Sequence, residues 1–289
     1  MTQSKDNPAE IQHRRPKVIL FDIGGVCVIS PFQSILDYEL NLGIPPGWVN
    51  YSISRTAPDG FWQRLEKGEI PMDDDFFAGF SRDLHDPVRW ATFYKAQQTK
   101  NPKLAKEVPP VPKIDARWLF FDMMSSARAT DPWMFPALQK LKASGKFIVA
   151  ALSNTVIFPE NHEFNHNPIR SQFDVFVSSA HVGLRKPDPR IYELALKKVD
   201  EFARANANTD RGRALGWGEG IQPSDIVFLD DIGENLKTAK KAGFRTIKVS
   251  LGKAFEAVEE LEEVTGLELA GDHPKIPIKP NLRGSKAKI

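Results

Sequence analysis

The chain has 289 residues, 41% hydrophobic and 26% charged, which is the composition of a globular protein forming one large domain or two smaller ones. Its 39 basic and 37 acidic side chains leave a formal net charge of +2, so nucleic acid and anionic membranes are not expected as partners. A single cysteine, Cys27, excludes an internal disulfide framework. With no secretory signal in residues 1–16 and no apolar run of about 18 residues, we predict a cytoplasmic protein.

Five short apolar or β-branched runs predict buried strands, and helical patterns lie between them. The predicted strands are Val18–Phe21, Phe147–Leu152, Asp174–Val177, Ile226–Leu229 and Arg245–Val249. In Ile191–Phe202 the apolar residues recur at spacings of three and four, and Asn235–Ala242 ends before a helix-terminating Gly243. Alternating strands and helices favour an α/β fold with a parallel sheet.

More than a hundred residues separate the first two predicted strands, although a parallel crossover needs only about a dozen. Helices are predicted within this connection at Phe61–Lys67, Asp74–Leu84, Asp115–Ala127 and Trp133–Ser144. We therefore expect a flexible N-terminus (1–16), a core (17–30 and 145–266), a helical cap (31–144) and a flexible basic tail (267–289). Residues 203–223 are polar and are expected to form a surface loop.

Polar side chains follow four of the predicted strands, where the carboxyl ends of a parallel sheet build sites. They are Asp22 after the first strand, Ser153, Asn154 and Thr155 after the second, Lys186 after the third, and Asp230 and Asp231 after the fourth. Carboxylates that meet at one edge repel unless a hard cation such as Mg²⁺ neutralises them. The lysine and the hydroxyl groups suit a phosphoryl group, and attack by Asp22 would form an aspartyl-phosphate that water hydrolyses.

These residues resemble the haloacid dehalogenase (HAD) superfamily over roughly residues 17–251. The four motifs are Phe21-Asp22-Ile23-Gly24-Gly25-Val26, Leu152-Ser153-Asn154-Thr155, Arg185-Lys186-Pro187-Asp188-Pro189, and Phe228-Leu229-Asp230-Asp231 with Glu234-Asn235. The segments FWQRLEKGEI, GLRKPDPRIY and LDDIGENL are similar to the phosphatase-like domain of soluble epoxide hydrolases and to HAD domains fused to acyl-CoA dehydrogenases. The resemblance implies a Rossmann-like core, a helical cap inserted after the first strand, Mg²⁺ and a phosphorylated small-molecule substrate.

The resemblance also implies a role for each matching position. The catalytic residues would be Asp22 and Lys186, the substrate-binding residues Ser153, Asn154, Thr155, Gly25 and Arg185, and the metal ligands Asp22, the Gly24 carbonyl, Asp230 and Asp231.

Gly24 departs from the family pattern, in which a second aspartate at this position protonates the leaving group and later activates water. Losing a general acid or base costs about 10²–10⁴-fold in rate, or roughly 3–5 kcal/mol. Three consequences remain open: substrates with good leaving groups such as diphosphates or acyl phosphates, a proton from the cap, or ligand binding without turnover. The cap candidates for the proton are Glu66, Asp73, Asp74, Asp75 and His85.

A Mg²⁺-dependent phosphatase is the favoured interpretation, and three alternatives stay open. A 2-haloacid-type dehalogenase would not need the acidic pair Asp230-Asp231. A diphosphate-processing enzyme of terpenoid metabolism is suggested by the Asp-Asp-x-x-Glu spacing that ends at Glu234. A pseudophosphatase would bind a ligand without catalysis. The histidines His162, His166 and His181 form no convincing zinc pattern, and the sequence does not indicate an oligomeric state.

Overall fold

The computed structural model describes residues 15–165 and 168–282 and contains one five-stranded parallel sheet. Its strands are β1 (Val18–Phe21), β2 (Ile148–Ser153), β3 (Val175–Ser178), β4 (Ile226–Asp230) and β5 (Arg245–Lys248). Their order across the sheet is β3-β2-β1-β4-β5, so β1 is central. The predicted strands are present with ends that differ by one residue at most, and the α/β fold with a Rossmann-like parallel sheet is confirmed.

The strand register determines which side chains meet at the carboxyl edge. Phe21 pairs with Ala151 on one side and with Leu229 on the other. Asp22 and Asp230, one residue further along each strand, therefore emerge side by side. The four residues of β1 are buried because helices cover both faces of the sheet, as in other parallel sheets.

The described residues also form α-helices between and after the strands. They are α1 (Pro31–Asn41), α2 (Trp48–Arg55), α3 (Phe61–Glu66), α4 (Asp74–Leu84), α5 (Pro87–Lys100), α6 (Ala116–Ser126), α7 (Met134–Ser144), α8 (Ser179–Val182), α9 (Pro189–Ala205), α10 (Asp210–Ala214), α11 (Gly233–Lys241) and α12 (Ala254–Thr265). Among the described residues no helix is both long and apolar enough to cross a membrane.

Three hydrophobic clusters divide the molecule. Ile19 and Phe21 of β1 pack with α7 and α12 on one face of the sheet, and Val18 and Leu20 pack with α9 and α11 on the other. The third cluster joins side chains from α1 to α6 and is rich in aromatic residues. The inserted helices thus have a hydrophobic core of their own, as expected for a cap.

Helix α7 changes the boundary predicted for the cap. Its residues Met134, Leu138 and Leu141 are buried in the cluster that contains Ile19 and Phe21, so this helix covers the sheet. By the criterion of packing, α7 belongs with the sheet, although the sequence places residues 31–144 in the cap. We propose a cap of residues 31–126, because α6 is the last helix that contributes to the cap cluster.

Residues 203–223 are not simply a surface loop. They contain the end of α9, helix α10 and a 3₁₀ turn at Trp217–Glu219, and Trp217 is almost fully buried. The Trp217 ring lies 5.8 Å from that of Phe202, and Arg211 stacks on it at 4.8 Å. Arg211 also donates hydrogen bonds to the carbonyls of Gly145 and Phe147. The polar composition of the segment predicted a surface loop, but the buried Trp217 packs in the hydrophobic cluster that contains Val18 and Leu20.

The tail predicted as flexible packs against the protein as far as residue 282. Leu269 is fully buried, and the Trp133 indole donates to the Pro274 carbonyl at 3.0 Å. The backbone amide of Ile278 donates to the Gly252 carbonyl at 2.9 Å, and the backbone amide of Asn281 donates to Asp37 Oδ1 of α1 at 2.9 Å. Residues 1–14 and 283–289, which hold most of the predicted flexible ends, lie outside the described residues.

Replacing Trp217 with alanine tests the packing of this segment. Because the buried ring would leave a cavity, Trp217→Ala should lower the free energy of unfolding by about 3–5 kcal/mol, measured by urea denaturation. Trp118→Ala is the matched control, since this tryptophan is 44% exposed on α6 and should cost much less. Equal small losses in both variants would contradict the buried role of Trp217.

Candidate active site

Asp22 lies directly after β1, and a backbone hydrogen bond to β4 holds it at the edge of the sheet. Its amide donates to the Leu229 carbonyl at 2.8 Å, which continues the pairing of β1 with β4. The carboxylate is largely buried; Oδ1 accepts from the Ile23 amide at 2.7 Å, and Oδ2 lies 2.9 Å from the Lys186 ammonium. Burial raises the pKa of Asp22 to about 6; the nearby Asp230 charge adds to this, and Lys186 opposes it.

Lys186 forms ion pairs with the aspartates at the carboxyl ends of the neighbouring strands β1 and β4. Its side chain is buried, and Nζ lies 2.9 Å from Asp22 Oδ2 and 2.6 Å from Asp230 Oδ2. Burial by itself lowers the pKa of Lys186, but the two carboxylates outweigh it, and the net shift of its pKa is upward. Asn154 holds the same residue by its backbone: Asn154 Oδ1 accepts from the Lys186 amide at 2.8 Å, and Nδ2 donates to the Lys186 carbonyl at 3.1 Å.

Asp230 is fully buried at the end of β4 and has partners for both oxygens. Asn235 Nδ2 lies 3.0 and 3.1 Å from them, and the Ile232 amide donates to Oδ1 at 2.8 Å. The sequence marked Asn235 only as the end of a family motif. Its amide group now has a defined task, because it fixes the plane of the Asp230 carboxylate while Lys186 approaches from another side.

Asp231 completes a group of three carboxylates. Oxygen atoms of Asp22, Asp230 and Asp231 all lie within 4.8 Å of one another. Burial, followed by the charges of Asp22 and Asp230, raises the pKa of Asp231 well above its usual value. Among the described residues, Lys186 is the cation that ion-pairs with this group, so three carboxylates face one ammonium. Such an excess of negative charge on oxygen ligands suits a divalent cation of the Mg²⁺ type.

Two adjacent glycines line this group and differ in their constraints. Gly25 has φ of +77°, and a Cβ there would overlap Asp231 Oδ2 and approach Ser30 Oγ at 2.9 Å. Glycine at position 25 therefore lets the Asp231 carboxylate lie against the loop. At Gly24, by contrast, a Cβ would lie 3.6 Å from the nearest atom, Pro31 Cδ, which is an ordinary contact. The Gly25 amide donates within the loop to Val28.

The hydroxyl groups after β2 have different partners. Ser153 is buried, and its Oγ makes a long hydrogen bond of 3.3 Å to the Asn154 carbonyl. Thr155 faces the start of α8, where its amide donates to Ser179 Oγ at 2.8 Å and its hydroxyl lies 2.6 Å from Ser178 Oγ. Ser153 is thus the more available hydroxyl for a ligand, whereas Thr155 ties the two strand-end loops together.

Arg185 does not face the carboxylates. Its Nε and Nη2 atoms lie 2.8 and 2.7 Å from Glu66 Oε2, which belongs to the end of cap helix α3. Both side chains of this pair are largely buried. Glu66, one of the five cap residues considered as proton donors, therefore contacts the core residue that directly precedes Lys186.

The other four cap candidates have different surroundings. Asp73 caps α4 by accepting from the Phe76 amide at 2.9 Å, Asp74 pairs with Arg117 on the surface, and Asp75 is exposed. The ring nitrogens of His85 bond backbone groups inside the cap at 2.6 and 3.0 Å. In the described part of the chain, none of the four is hydrogen-bonded to the carboxylate group. Glu234, the acidic residue of the Asp-Asp-x-x-Glu spacing, has a side chain that is 73% exposed and lies outside that group.

The haloacid dehalogenase-like hydrolase family matches residues 16–243. This chain belongs to the HAD-like hydrolases. The mouse protein acyl-CoA dehydrogenase family member 10 is 31% identical over 259 residues, which cover 89% of this chain and 20% of that protein. Pig bifunctional epoxide hydrolase 2 is 26% identical over 92% of this chain and 44% of its own length. This hydrolase therefore spans less than half of either relative, and both resemblances seen in its sequence are confirmed.

A third relative of this HAD-like hydrolase is matched along nearly its whole length. The sesquiterpene phosphatase astK of Aspergillus oryzae is 24% identical over 252 residues, which cover 86% of this chain and 97% of that protein.

Substitution of the two glycines in turn should separate their roles. Gly25→Ala should displace the Asp231 carboxylate, because the added methyl group would occupy its place and the residue has a positive φ. We expect the thermal stabilisation by Mg²⁺ to be lost in Gly25→Ala and retained in Gly24→Ala, measured by melting with and without the ion. Equal stabilisation of both variants would contradict the proposed contact.

Proposed function

We propose that this hydrolase is a Mg²⁺-dependent phosphatase that acts on a small phosphorylated metabolite with Asp22 as its nucleophile. The observation that supports this most is the group of Asp22, Asp230 and Asp231 around a single buried lysine. A dehalogenase that attacks carbon with the same aspartate has no use for the additional carboxylates. Phosphoryl transfer has such a use, because anionic oxygens must be neutralised in both the ground state and the transition state.

Asp22, Asp230, Asp231 and the Gly24 carbonyl would hold the Mg²⁺ ion. When bound, the ion would neutralise the phosphoryl oxygens and lessen the repulsion between the substrate and the carboxylates. Two oxygens of Asp230 are already oriented by Asn235, Ile232 and Lys186, so this ligand needs little rearrangement. Position 25 remains free of a side chain, and Asp231 can therefore approach the same point.

The proposed reaction begins with a carboxylate oxygen of Asp22, which forms a bond to phosphorus as the bond to the leaving oxygen breaks. Lys186 keeps Asp22 ionised and donates to a phosphoryl oxygen, and Asn154 holds Lys186 in place through its backbone. The Ser153 hydroxyl would bind a second phosphoryl oxygen. Water then attacks phosphorus in the aspartyl-phosphate, which releases inorganic phosphate and regenerates the Asp22 carboxylate.

Gly24 restricts the substrates that suit this mechanism. Without a carboxylate at position 24, the leaving oxygen receives no proton from the loop after β1. Of the cap candidates, Asp73, Asp74 and His85 have partners elsewhere and Asp75 is exposed. We propose that the preferred substrates have leaving groups that depart as stable anions, such as diphosphates or acyl phosphates. Their low leaving-group pKa reduces the benefit of general acid catalysis.

Prenyl phosphates form a second class to be tested. The relative matched over 97% of its length is a sesquiterpene phosphatase, and this similarity supports phosphate esters of isoprenoid alcohols as candidates. The Asp-Asp-x-x-Glu spacing adds little, because the Glu234 side chain is largely exposed and pairs with Lys237. A reducing compartment such as the cytoplasm remains our proposal for the location, based on the lone buried Cys27.

Asp22→Asn should abolish phosphate release, because the amide lacks the anionic oxygen that attacks phosphorus. The measurement is inorganic phosphate released from a panel of phosphate esters, acyl phosphates and diphosphates with Mg²⁺, repeated with EDTA. We expect EDTA and Asp22→Asn each to remove turnover.

Asp210→Asn is the matched control for this experiment. It makes the same chemical change at an exposed residue of α10, a helix whose Arg211 contacts the opposite edge of the sheet at Gly145. Turnover that survives in Asp22→Asn would disprove the nucleophile, and turnover insensitive to EDTA would disprove the metal.

Gly24→Asp should restore activity on esters with poor leaving groups. Position 24 has room for a Cβ, and the new carboxyl group would supply the missing proton. We expect kcat/KM for alkyl phosphates to rise by about 10²-fold, whereas that for an acyl phosphate should change little. Gly24→Asn is the matched control, since it has the same size without an acid. If Asn and Asp raise the rate equally, Gly24 does not limit proton transfer.

A further inference from the structure

A short segment of the cap, residues 66–68, makes three separate contacts with the core. Glu66 Oε2 accepts a hydrogen bond from Arg185 Nε at 2.8 Å and forms an ion pair with Nη2 at 2.7 Å. The Glu66 carbonyl accepts from Ser179 Oγ at 2.6 Å. Gly68, with φ of +67°, lies so close to the Ala180 carbonyl that a Cβ would overlap it. Side chain, backbone and close packing thus all fix this segment on the core.

These contacts end on the loops that carry the phosphoryl-binding residues. Arg185 immediately precedes Lys186, whose ammonium group bridges Asp22 and Asp230. Ser179 Oγ accepts from the Thr155 amide at 2.8 Å while it donates to Glu66, so the loop after β2 is linked to the cap through one hydroxyl group. Glu66 therefore contacts the loop of Lys186 directly and the loop of Ser153 and Thr155 through one intermediate.

The ion pair also bears on the function of Arg185. Its Nε atom donates to Glu66 Oε2, Nη2 lies 2.7 Å from the same oxygen, and the pair is largely shielded from water. Breaking such a pair would leave an uncompensated charge in a poorly solvated place. Arg185 is thus better suited to hold the cap than to bind the phosphoryl group, which is the role its sequence motif implies.

We propose that Glu66 is a positioning residue through which the docked cap holds Lys186 and Thr155 in register with Asp22. In this proposal, the loops that bind the phosphoryl group take up their positions only when the cap is docked on the core. Lys186 belongs to the catalytic group, and Glu66 acts on it only through Arg185. This inference rests on the proposed phosphatase function for its kinetic consequences but not for its structural ones.

Hydrogen–deuterium exchange tests the structural part without any substrate. In Glu66→Gln, amide exchange should accelerate both in residues 61–68 of the cap and in residues 179–186 of the core. Glu69→Gln is the matched control, because Glu69 lies three residues after Glu66 but pairs with Lys67 of the cap at 2.6 Å. Exchange in Glu66→Gln that equals that of Glu69→Gln at both places would overturn the inference.

A double-mutant cycle tests the kinetic part with the substrate that is turned over fastest. Glu66→Gln and Arg185→Met should each lower kcat by about tenfold or more, and the double variant should be little worse than either alone. Arg185→Lys should recover part of the loss, since it keeps the charge but not the paired donors. If Arg185→Met raises KM while Glu66→Gln leaves both constants unchanged, Arg185 binds substrate and the positioning role is wrong.

The two measurements also separate this inference from the proposed function. Turnover that depends on Asp22 but not on Glu66 would leave the phosphatase standing and remove the positioning role. If no ester in the panel is hydrolysed, the exchange experiment still decides: coupled loss of protection supports the link between cap and core, and its absence refutes it.

Discussion

The buried ammonium group of Lys186 is the constraint on which the rest of this site depends. A lysine with no exposed side-chain surface is stable only if carboxylates offset the loss of hydration, and Asp22 and Asp230 do so at 2.9 and 2.6 Å. Those aspartates end neighbouring central strands, so one cation links the sheet to the loop after β3. The same charge is insufficient for three carboxylates, and the remaining negative charge is what makes a divalent ion chemically reasonable.

The sequence predicted the positions of these groups because parallel strands end at a common edge. An aspartate that directly follows the apolar run of a buried parallel strand lies at the carboxyl edge of the sheet. It did not predict their partners. The sequence predicted Asn154 as a ligand for the phosphoryl group, but its side-chain oxygen and nitrogen both form hydrogen bonds with the backbone of Lys186. Whether an amide faces a substrate or a neighbouring loop depends on loop conformation, which residue spacing does not encode.

The limits of the cap depend on the same kind of information. Periodicity identifies a helix and its apolar stripe, but not the surface that the stripe covers. The long insertion ends with α7, whose Met134 and Leu141 pack on the sheet, so the limit of the cap depends on the surface that each helix covers. Among the acidic cap residues, Glu66 resembles Asp73 and Asp75 in sequence and differs from them through contact with Arg185. Only the folded arrangement of α3 against α8 distinguishes it.

The pair Gly24-Gly25 combines two different kinds of constraint in adjacent residues. Gly25 is required by geometry, since its positive φ and the nearby Asp231 carboxylate leave no room for a side chain. Gly24 is under no such restriction, because a Cβ there would make only an ordinary contact with Pro31. Lack of room for a Cβ therefore does not explain why position 24 has no side chain. In the mechanism we propose, the absent carboxylate removes a proton source for the leaving group, so Gly24 would bear on the choice of substrate and Gly25 on the metal site.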